Sequence, residues 1–207
     1  MEPLNKHIDL IKEFINIGVA RGANVLNAIL HTHIKLKVPV IKILTFEQLY
    51  EEMKTHGTLG QLAAVKMPFK GNFSGTAELI FPAESANKLV TAFTNEKPEN
   101  IDLDSIKAGA LAEIGNIVLN AVMGSISNLL KTRFRYSVPH YVEGDLVKLL
   151  PKDMVNKKSI ILLARTRFTI ETLEIEGDFV LFLEVGAFGS LISAINSYNP
   201  ETGVIEK

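Results

Sequence analysis

Hydrophobic and polar positions follow a helical period near the N-terminus, from about Pro3 to His31. Because successive helical residues advance by roughly 100°, one apolar stripe should face a sheet. The members of that stripe are Ile8, Ile11, Ile15, Gly18, Gly22, Val25 and Ile29. The opposite side, predicted to face solvent, carries Asp9, Glu13, Asn16, Ala20, Ala23 and Asn27. The pattern therefore predicts a long amphipathic helix whose outer face displays a Glu-x-x-Asn motif.

A second helix with the same organisation is predicted from Asp102 or Asp104, either a good N-cap, to about Lys131. Its core stripe consists of Leu111, Ile114, Val118, Val122, Ile126 and Leu129. Its outer face consists of Gly109, Glu113, Asn116, Asn120, Gly124 and Ser127. An exposed helix face normally favours Lys, Glu, Arg and Gln. Both faces here are instead rich in Ala, Gly, Asn and Ser, which let another surface approach closely.

Strand patterns follow each long helix. After the first helix come strands at 34–44, 62–70 and 76–82, the last two joined by the turn residues GNFSG, and a short helix at 84–93. After the second come strands at 134–142, 159–175 and 179–185, the last two around the turn EGD, and a helix at 188–198. We interpret 94–100 as a linker and expect 143–157 to be irregular, with no counterpart in the first half.

The chain repeats itself at a fixed offset. Three motif positions recur 100 residues apart in matching contexts, namely Glu13 and Glu113, Asn16 and Asn116, and Pro39 and Pro139. A fixed period of this kind indicates duplicated structural units. Since half a chain of this size buries too little surface to be very stable alone, we predict one α+β domain over 1–207, with halves at about 1–94 and 101–207. The halves should share one antiparallel sheet about a pseudo-twofold axis, with helices packed on it.

The composition narrows the classes of function. The chain has 207 residues, a formal net charge of −1 and no cysteine. The balanced charge argues against nucleic-acid binding, and the lack of cysteine excludes thiolate metal sites and cysteine nucleophiles. The N-terminus lacks the apolar core of a signal peptide, and no apolar run approaches the roughly 20 residues of a spanning helix. We therefore expect a cytoplasmic protein without membrane insertion.

The Glu-x-x-Asn motif has an ordinary and a functional interpretation. One such pair on an exposed helix is usually a solvated face, but the duplication and the small neighbouring residues favour function. An asparagine amide donates and accepts hydrogen bonds at once, so it can orient a water molecule. Phosphoryl transfer needs an in-line water and stabilised charge more than covalent help from protein. The motif thus fits a helix that inserts asparagine into a partner's phosphoryl site while glutamate pairs with the partner's lysine.

The spacing of the motif resembles that of a known family. An acid or serine, three residues, Glu, two residues, Asn, twenty-two residues and Pro resemble the signature of the CheC/CheX/FliY phosphatases of bacterial and archaeal chemotaxis. The first copy is Asp9, Glu13, Asn16 and Pro39. The second copy is Glu113, Asn116 and Pro139, with Gly109 where Asp or Ser is expected. The segments at 16–27 and 75–90 also resemble the family, and the two-site arrangement looks most like CheC.

The resemblance implies a fold and an activity. In a CheC-like fold, two long helices on one side of a central antiparallel sheet carry the active sites, and shorter helices lie elsewhere. The activity is dephosphorylation of phospho-CheY, the response regulator that controls the flagellar motor. Asn16 and Asn116 would position the attacking water, and Glu13 and Glu113 would bind the regulator's lysine. The protein would need no cofactor of its own, because Mg²⁺ would belong to the regulator.

The remaining positions of the motif have supporting roles. Asp9 and its counterpart Gly109 flank the two sites, and the missing carboxylate at Gly109 puts the second site in question. Pro39 and Pro139 should shape the strand after each helix by fixing φ and removing a donor.

Two other functions stay open. One is a binding module that docks a receiver domain without hydrolysis, for which the related flagellar switch proteins offer a precedent. The other is a scaffold for the receptor deamidase CheD, which CheC proteins commonly bind. Retention of both Glu/Asn pairs favours catalysis.

Overall fold

The computed structural model describes residues 2–31, 33–55, 60–94, 103–150, 160–170, 173–199 and 204–205. In chain order the elements are α1 (Glu2–Leu30), β1 (Ile34–Leu44), α2 (Phe46–Thr55), β2 (Leu62–Gly71), β3 (Gly75–Pro82), α3 (Ala83–Thr94), α4 (Leu103–Leu129), β4 (Phe134–Tyr136), β5 (His140–Gly144), α5 (Leu146–Leu149), β6 (Ile160–Ile170), β7 (Leu173–Leu183), α6 (Ala187–Asn196), β8 (Tyr198–Asn199) and β9 (Val204–Ile205). Most of the predicted linker, the N-cap candidate Asp102 and residues 151–157 lie outside the described residues.

One antiparallel sheet contains strands from both halves of the chain. Its strand order is β1-β6-β7-β3-β2-β4, and β5 also pairs with β2. β1 of the first half pairs with the β6–β7 hairpin of the second half, whereas β4 and β5 pair with the β2–β3 hairpin of the first. β3 and β7 meet at the centre. Each half therefore lends its first strand to the other half's hairpin, and the predicted fold class is confirmed.

The helices cover the two faces of this sheet unequally. α1, α3, α4 and α6 pack on one face over the larger core, and α2 and α5 cover the other face over a smaller core. α1 and α4 lie side by side and antiparallel, with Gly18 against Val122 and Gly22 near Val118. A Cβ atom on Gly18 would overlap the backbone of Val122, so the absence of a side chain permits this close approach.

The buried face of α1 departs from the predicted stripe over its second half. Val25 and Ile29, predicted as core residues, are 46% and 51% exposed, whereas Ala23, predicted to face solvent, is 5% exposed. Val19 and Leu26 are buried. Because α1 packs against α4 as well as against the sheet, its buried face turns toward the neighbouring helix. A pattern that assumes a single contact surface does not anticipate this turn.

The second hairpin turns earlier than predicted. The residues EGD, at 176–178, lie inside β7, so the predicted strands at 159–175 and 179–185 are wrong here. Arg165 donates to Asp178 and Arg167 donates to Glu176, each at 3.1 Å, across the β6–β7 ladder. Cross-strand partners of this kind stabilise a sheet. They allow polar residues that usually form turns to continue the strand.

The strand and turn patterns also miss α2 and α5. Both helices begin after a capping residue, and these residues, Thr45 and Asp145, are 100 positions apart. Thr45 and Gln48 exchange hydrogen bonds of 2.9 and 3.3 Å, which is a capping box. Asp145 accepts from the Lys148 N–H at 2.8 Å. The repeat therefore extends into the described residues of the segment at 143–157, and for these residues the expectation of no counterpart is wrong.

One helix contradicts the expectation about apolar runs. The segment Ile106–Leu129 of α4 is long and apolar enough, by length and composition, to cross a membrane. Half of this apolar stretch is buried inside the fold. Its apolar residues contribute to the larger core between the sheet and α1. This is the composition expected of a long core helix.

Two pairs of a basic and an acidic residue occupy equivalent places beneath the small helices. Lys66 Nζ lies 3.3 Å from Glu78 Oε1 and donates to the carbonyl oxygen of Leu149 in α5. In the second half, Arg165 Nε lies 3.1 Å from Asp178 Oδ1. Glu78 is completely buried, and this burial raises its pKa to about 8, although the ammonium of Lys66 acts in the opposite direction. Desolvation therefore outweighs the ion pair at this carboxyl group.

We expect the free energy of unfolding to fall as the pH rises from about 4.5 to about 8, because of Glu78. In this range the folded protein holds a proton on Glu78, whereas the unfolded chain has released it. The contribution of Glu78 to the free energy of unfolding is fully present below pH 4.5 and is lost as the pH rises through about 8. Urea unfolding at several pH values measures the slope. The Glu78→Gln variant, which mimics the protonated form, should flatten it, and an unchanged slope would assign the dependence to another group.

Candidate functional site

Site one is the outer face of the N-terminal half of α1. Asp9 and Glu13 are exposed there, and Asn16 is half-buried. They lie together because helical residues three or four positions apart are neighbours. The groove at this face is lined by Asp9, Lys12, Glu13, Asn16, Ile17 and Ala20. A partner that enters it meets two carboxylates, one ammonium group and one amide.

Asn16 is held by a backbone donor from β1. The Val38 N–H donates to Asn16 Oδ1 at 3.2 Å, across 22 residues of sequence. This donor is available because the register of β1 against β6 shifts between Lys37 and Val40. Pro39, the next residue, has no N–H. This hydrogen bond uses one lone pair of the amide oxygen, so the second lone pair and the two Nδ2 donors of Asn16 remain for a ligand in the groove.

Site two is the equivalent face of α4. Glu113 is exposed and Asn116 is half-buried. Asn116 Oδ1 accepts a hydrogen bond of 2.6 Å from Asn120 Nδ2, which also donates to the backbone oxygen of Asn116 at 2.8 Å. Gly109 is exposed, with open space where a Cβ atom would stand. Position 109 therefore supplies no carboxylate to match that of Asp9 in site one.

The strand that holds Asn16 in site one is not reproduced in site two. Val38 is 3% exposed, whereas its repeat equivalent Val138 is 85% exposed. The predicted strand at 134–142 is interrupted at 137–139, between β4 and β5. Pro139 lies in this interruption, where no strand hydrogen bond needs the N–H that proline lacks. The two sites therefore hold their asparagines with donors of different kinds.

Comparison with known proteins finds chemotaxis phosphatases among the similar proteins. The family model described as chemotaxis phosphatase CheX matches residues 63–163. Among curated proteins, the CheY-P phosphatase CheC of Bacillus subtilis (strain 168) is 25% identical over 137 residues, which make up 65% of this chain and 65% of that protein. The chain is similar to the CheC and CheX phosphatases over part of its length. The aligned part therefore spans less than two thirds of the length of that CheC relative.

Solved structures show the same fold at low sequence identity. FliY of Thermotoga maritima has a TM-score of 0.73 and 17% identity, over 92% of this chain and 96% of that chain. The FliM middle domain of H. pylori has a TM-score of 0.63 and 10% identity, over 91% and 98%. A chain in the CheX–CheY–BeF₃–Mg²⁺ complex of Borrelia burgdorferi has a TM-score of 0.54 and 17% identity, over 84% and 99%.

Two hydrogen-bond donors at the candidate sites are not part of the repeated motif. The Val38 N–H and the Asn120 amide each bind the asparagine of one site. The sequence carries a signal for both. Val38 directly precedes the motif proline, and Asn120 lies four residues after Asn116, one helical turn away. Within the described residues, no group of three or more His, Asp or Glu side chains is placed to hold a metal ion.

Proposed function

We propose that the protein is a phosphatase that hydrolyses the phosphoaspartate of a CheY-type response regulator. The observation that carries this proposal is the paired geometry of α1 and α4. Each helix presents an exposed glutamate and, one turn later, an asparagine whose amide oxygen is already hydrogen-bonded. An amide held in one orientation can position a water molecule when the partner docks, without a further search among rotamers.

In the proposed reaction, the regulator supplies the phosphoryl group and the Mg²⁺ that neutralises its charge. Asn16 or Asn116 holds a water molecule in line with the bond between phosphorus and the aspartate oxygen. Attack by this water breaks that bond and releases the aspartate carboxylate and inorganic phosphate, which takes up a proton of the water. Glu13 or Glu113 pairs with the regulator's lysine and fixes the docked orientation.

The named relatives support a regulator as the partner. The Bacillus subtilis relative is a CheY-P phosphatase, and the Borrelia burgdorferi structure is a complex of CheX with CheY, BeF₃ and Mg²⁺. We therefore propose a phosphorylated CheY-type regulator as the substrate and the cytoplasm as the place of action. Under this proposal the chain holds no cofactor itself.

The alternative is a binding module that docks a receiver domain, or CheD, without hydrolysis. The FliM middle domain has the same fold as this chain, and a fold alone does not imply phosphatase chemistry. The binding module therefore remains the second candidate function. CheD is proposed separately as a second binding partner. Mixing purified CheD with this protein and testing whether the two elute together in size-exclusion chromatography measures CheD binding independently of phosphatase activity.

Turnover distinguishes the enzyme from the binding module. A CheY-type regulator is phosphorylated on its aspartate, and phosphate release is followed with Mg²⁺ at one molecule of this protein to about fifty of regulator. The proposal predicts that each protein molecule releases many phosphates. Binding of the regulator, with phosphate released no faster than by the regulator alone, would favour the binding module.

Replacing both motif glutamates by glutamine should weaken docking more than chemistry. We expect the Glu13→Gln/Glu113→Gln variant to raise KM about tenfold, because a charge-assisted hydrogen bond to lysine is lost, while kcat changes less. Initial rates over a range of regulator concentrations separate the two constants. The matched control is Glu174→Gln, an exposed acid on β7. Equal effects of the two substitutions would contradict the docking role.

A further inference from the structure

The amide oxygen of each motif asparagine accepts a hydrogen bond, but the two donors differ in origin. In site one the donor is the backbone N–H of Val38, 22 residues away on β1. In site two the donor is the side chain of Asn120, one turn along the same helix. The first donor is fixed by the sheet, whereas the second depends on the identity of one exposed residue.

We infer that Asn120 is a positioning residue for Asn116, and that it replaces in site two the strand donor that Val38 provides in site one. This inference rests on the proposed phosphatase function. Asn120 would not touch the phosphoryl group. It would act through Asn116 by keeping the amide oxygen of that residue turned toward the helix and its Nδ2 donors toward the partner.

The repeat supports this assignment. The position equivalent to Asn120 is Ala20 in site one, 100 residues earlier. Alanine has no side-chain donor, and Asn16 needs none because Val38 already binds it. In site two the equivalent strand residue Val138 is 85% exposed. The half that lacks the strand donor is therefore the half that has the asparagine.

The contacts of Asn120 also fit a positioning role. Its Nδ2 lies 2.6 Å from the Asn116 side-chain oxygen and 2.8 Å from the Asn116 backbone oxygen. The two acceptors belong to the same residue, so this amide links the side chain of Asn116 to its own backbone. Restricting the χ angles of a reacting group before the partner arrives lowers the entropy cost of the productive complex.

The kinetic test isolates site two. In the Asn16→Ala background, we expect Asn120→Ala to lower kcat on a phosphorylated CheY-type regulator about tenfold, with KM changed by less than about twofold. Asn120→Ser, which keeps a short donor, should restore part of kcat. In the Asn116→Ala background, which leaves only site one, Asn120→Ala should have no effect. Alanine is a better helix former than asparagine, so unfolding would not account for a loss.

A second readout does not depend on turnover. In ¹⁵N-labelled protein, the side-chain amide of Asn116 should be ordered in the wild type and in Asn128→Ala, a matched change at an exposed position of α4. It should become mobile on the nanosecond timescale in Asn120→Ala. An Asn116 amide that stays ordered in Asn120→Ala would overturn the inference whether or not the protein is a phosphatase.

The kinetic outcomes are equally decisive. Unchanged or faster turnover of the Asn16→Ala/Asn120→Ala variant, compared with Asn16→Ala, would show that Asn120 is a bystander or blocks the site. An inactive Asn16→Ala variant beside a fully active Asn116→Ala variant would also overturn the inference, because site two would then be unused. Failure of the proposed function is distinct, since the wild type itself would then show no turnover.

Discussion

The variant that replaces both Asn16 and Asn116 by alanine should release phosphate no faster than the regulator does alone. Alanine keeps the helix but removes from each site the motif amide that is proposed to orient the water. The loss of one preorganised polar group at a reacting centre typically costs about 10²–10³-fold in kcat. Each single variant should keep the activity of its remaining site. Phosphate release with Mg²⁺, at limiting amounts of the protein, measures all four rates.

Two controls separate lost chemistry from lost binding. Asn24→Ala changes an exposed asparagine of α1 and should leave the rate unchanged. The double variant should still bind the regulator, because Glu13 and Glu113 remain. Substantial turnover by the double variant would show that the motif asparagines do not carry the reaction. Single variants that are each inactive would show instead that the two sites act as a unit.

Gly18→Ala should destabilise the fold by about 2 kcal/mol, a typical cost of overpacking in a well-packed core. The new Cβ atom would overlap the Cα of Val122 and lie 3.0 Å from the carbonyl oxygen of Ala121. These are backbone atoms, so α1 and α4 would have to move apart. Urea unfolding followed by circular dichroism gives the change in the free energy of unfolding.

Gly22→Ala is the matched control on the same helix face. Its Cβ atom would lie 3.4 Å from Val118 Cα and 3.5 Å from the side chain of Ala121, which is close to ordinary packing. Alanine in a helix interior gains up to about 1 kcal/mol over glycine. Gly22→Ala should therefore be neutral or more stable. A Gly18→Ala variant as stable as Gly22→Ala would contradict the helix contact.

Much of the fold follows from local pattern. Apolar spacing predicts α1 and α4 closely, and β1 is predicted with the bounds that the structure has, Ile34–Leu44. The hairpin of β2 and β3 follows from its turn residues. These elements are predictable because the period of the side chains and the identity of the turn residues are local properties. The offset of 100 residues then indicates that the two halves build one symmetric sheet.

The errors arise where a distant partner decides the local structure. Asp178 belongs to a turn-like triplet, but Arg165 on the neighbouring strand binds it and the strand continues. Gly18 and Gly22 belong to one predicted stripe facing the sheet, whereas in the structure they face α4. Neither contact has a fixed spacing in the sequence. Periodicity therefore identifies the elements and leaves the contacts between them undetermined.

The candidate site divides in the same way. The repeated motif predicts the outer position of Glu13, Asn16, Glu113 and Asn116 on the two helices. It does not predict what holds each amide, because the Val38 donor depends on a register shift between two strands from different halves. The hydrogen bond from Asn120 depends on a side-chain rotamer. The sequence shows one difference between the sites, Gly109 in place of Asp9, whereas the difference between the two hydrogen-bond donors emerges only from the structure.

Mapping the docked regulator tests the central claim most directly. ¹⁵N-labelled protein is titrated with a CheY-type regulator activated by beryllofluoride, which stands in for the phosphoryl group, and Mg²⁺. The account predicts that amide signals shift around Glu13–Asn16 on α1 and around Glu113–Asn116 on α4, with little change on α2 and α5 across the sheet. Shifts centred on α2 and α5, with the two motifs unaffected, would contradict it.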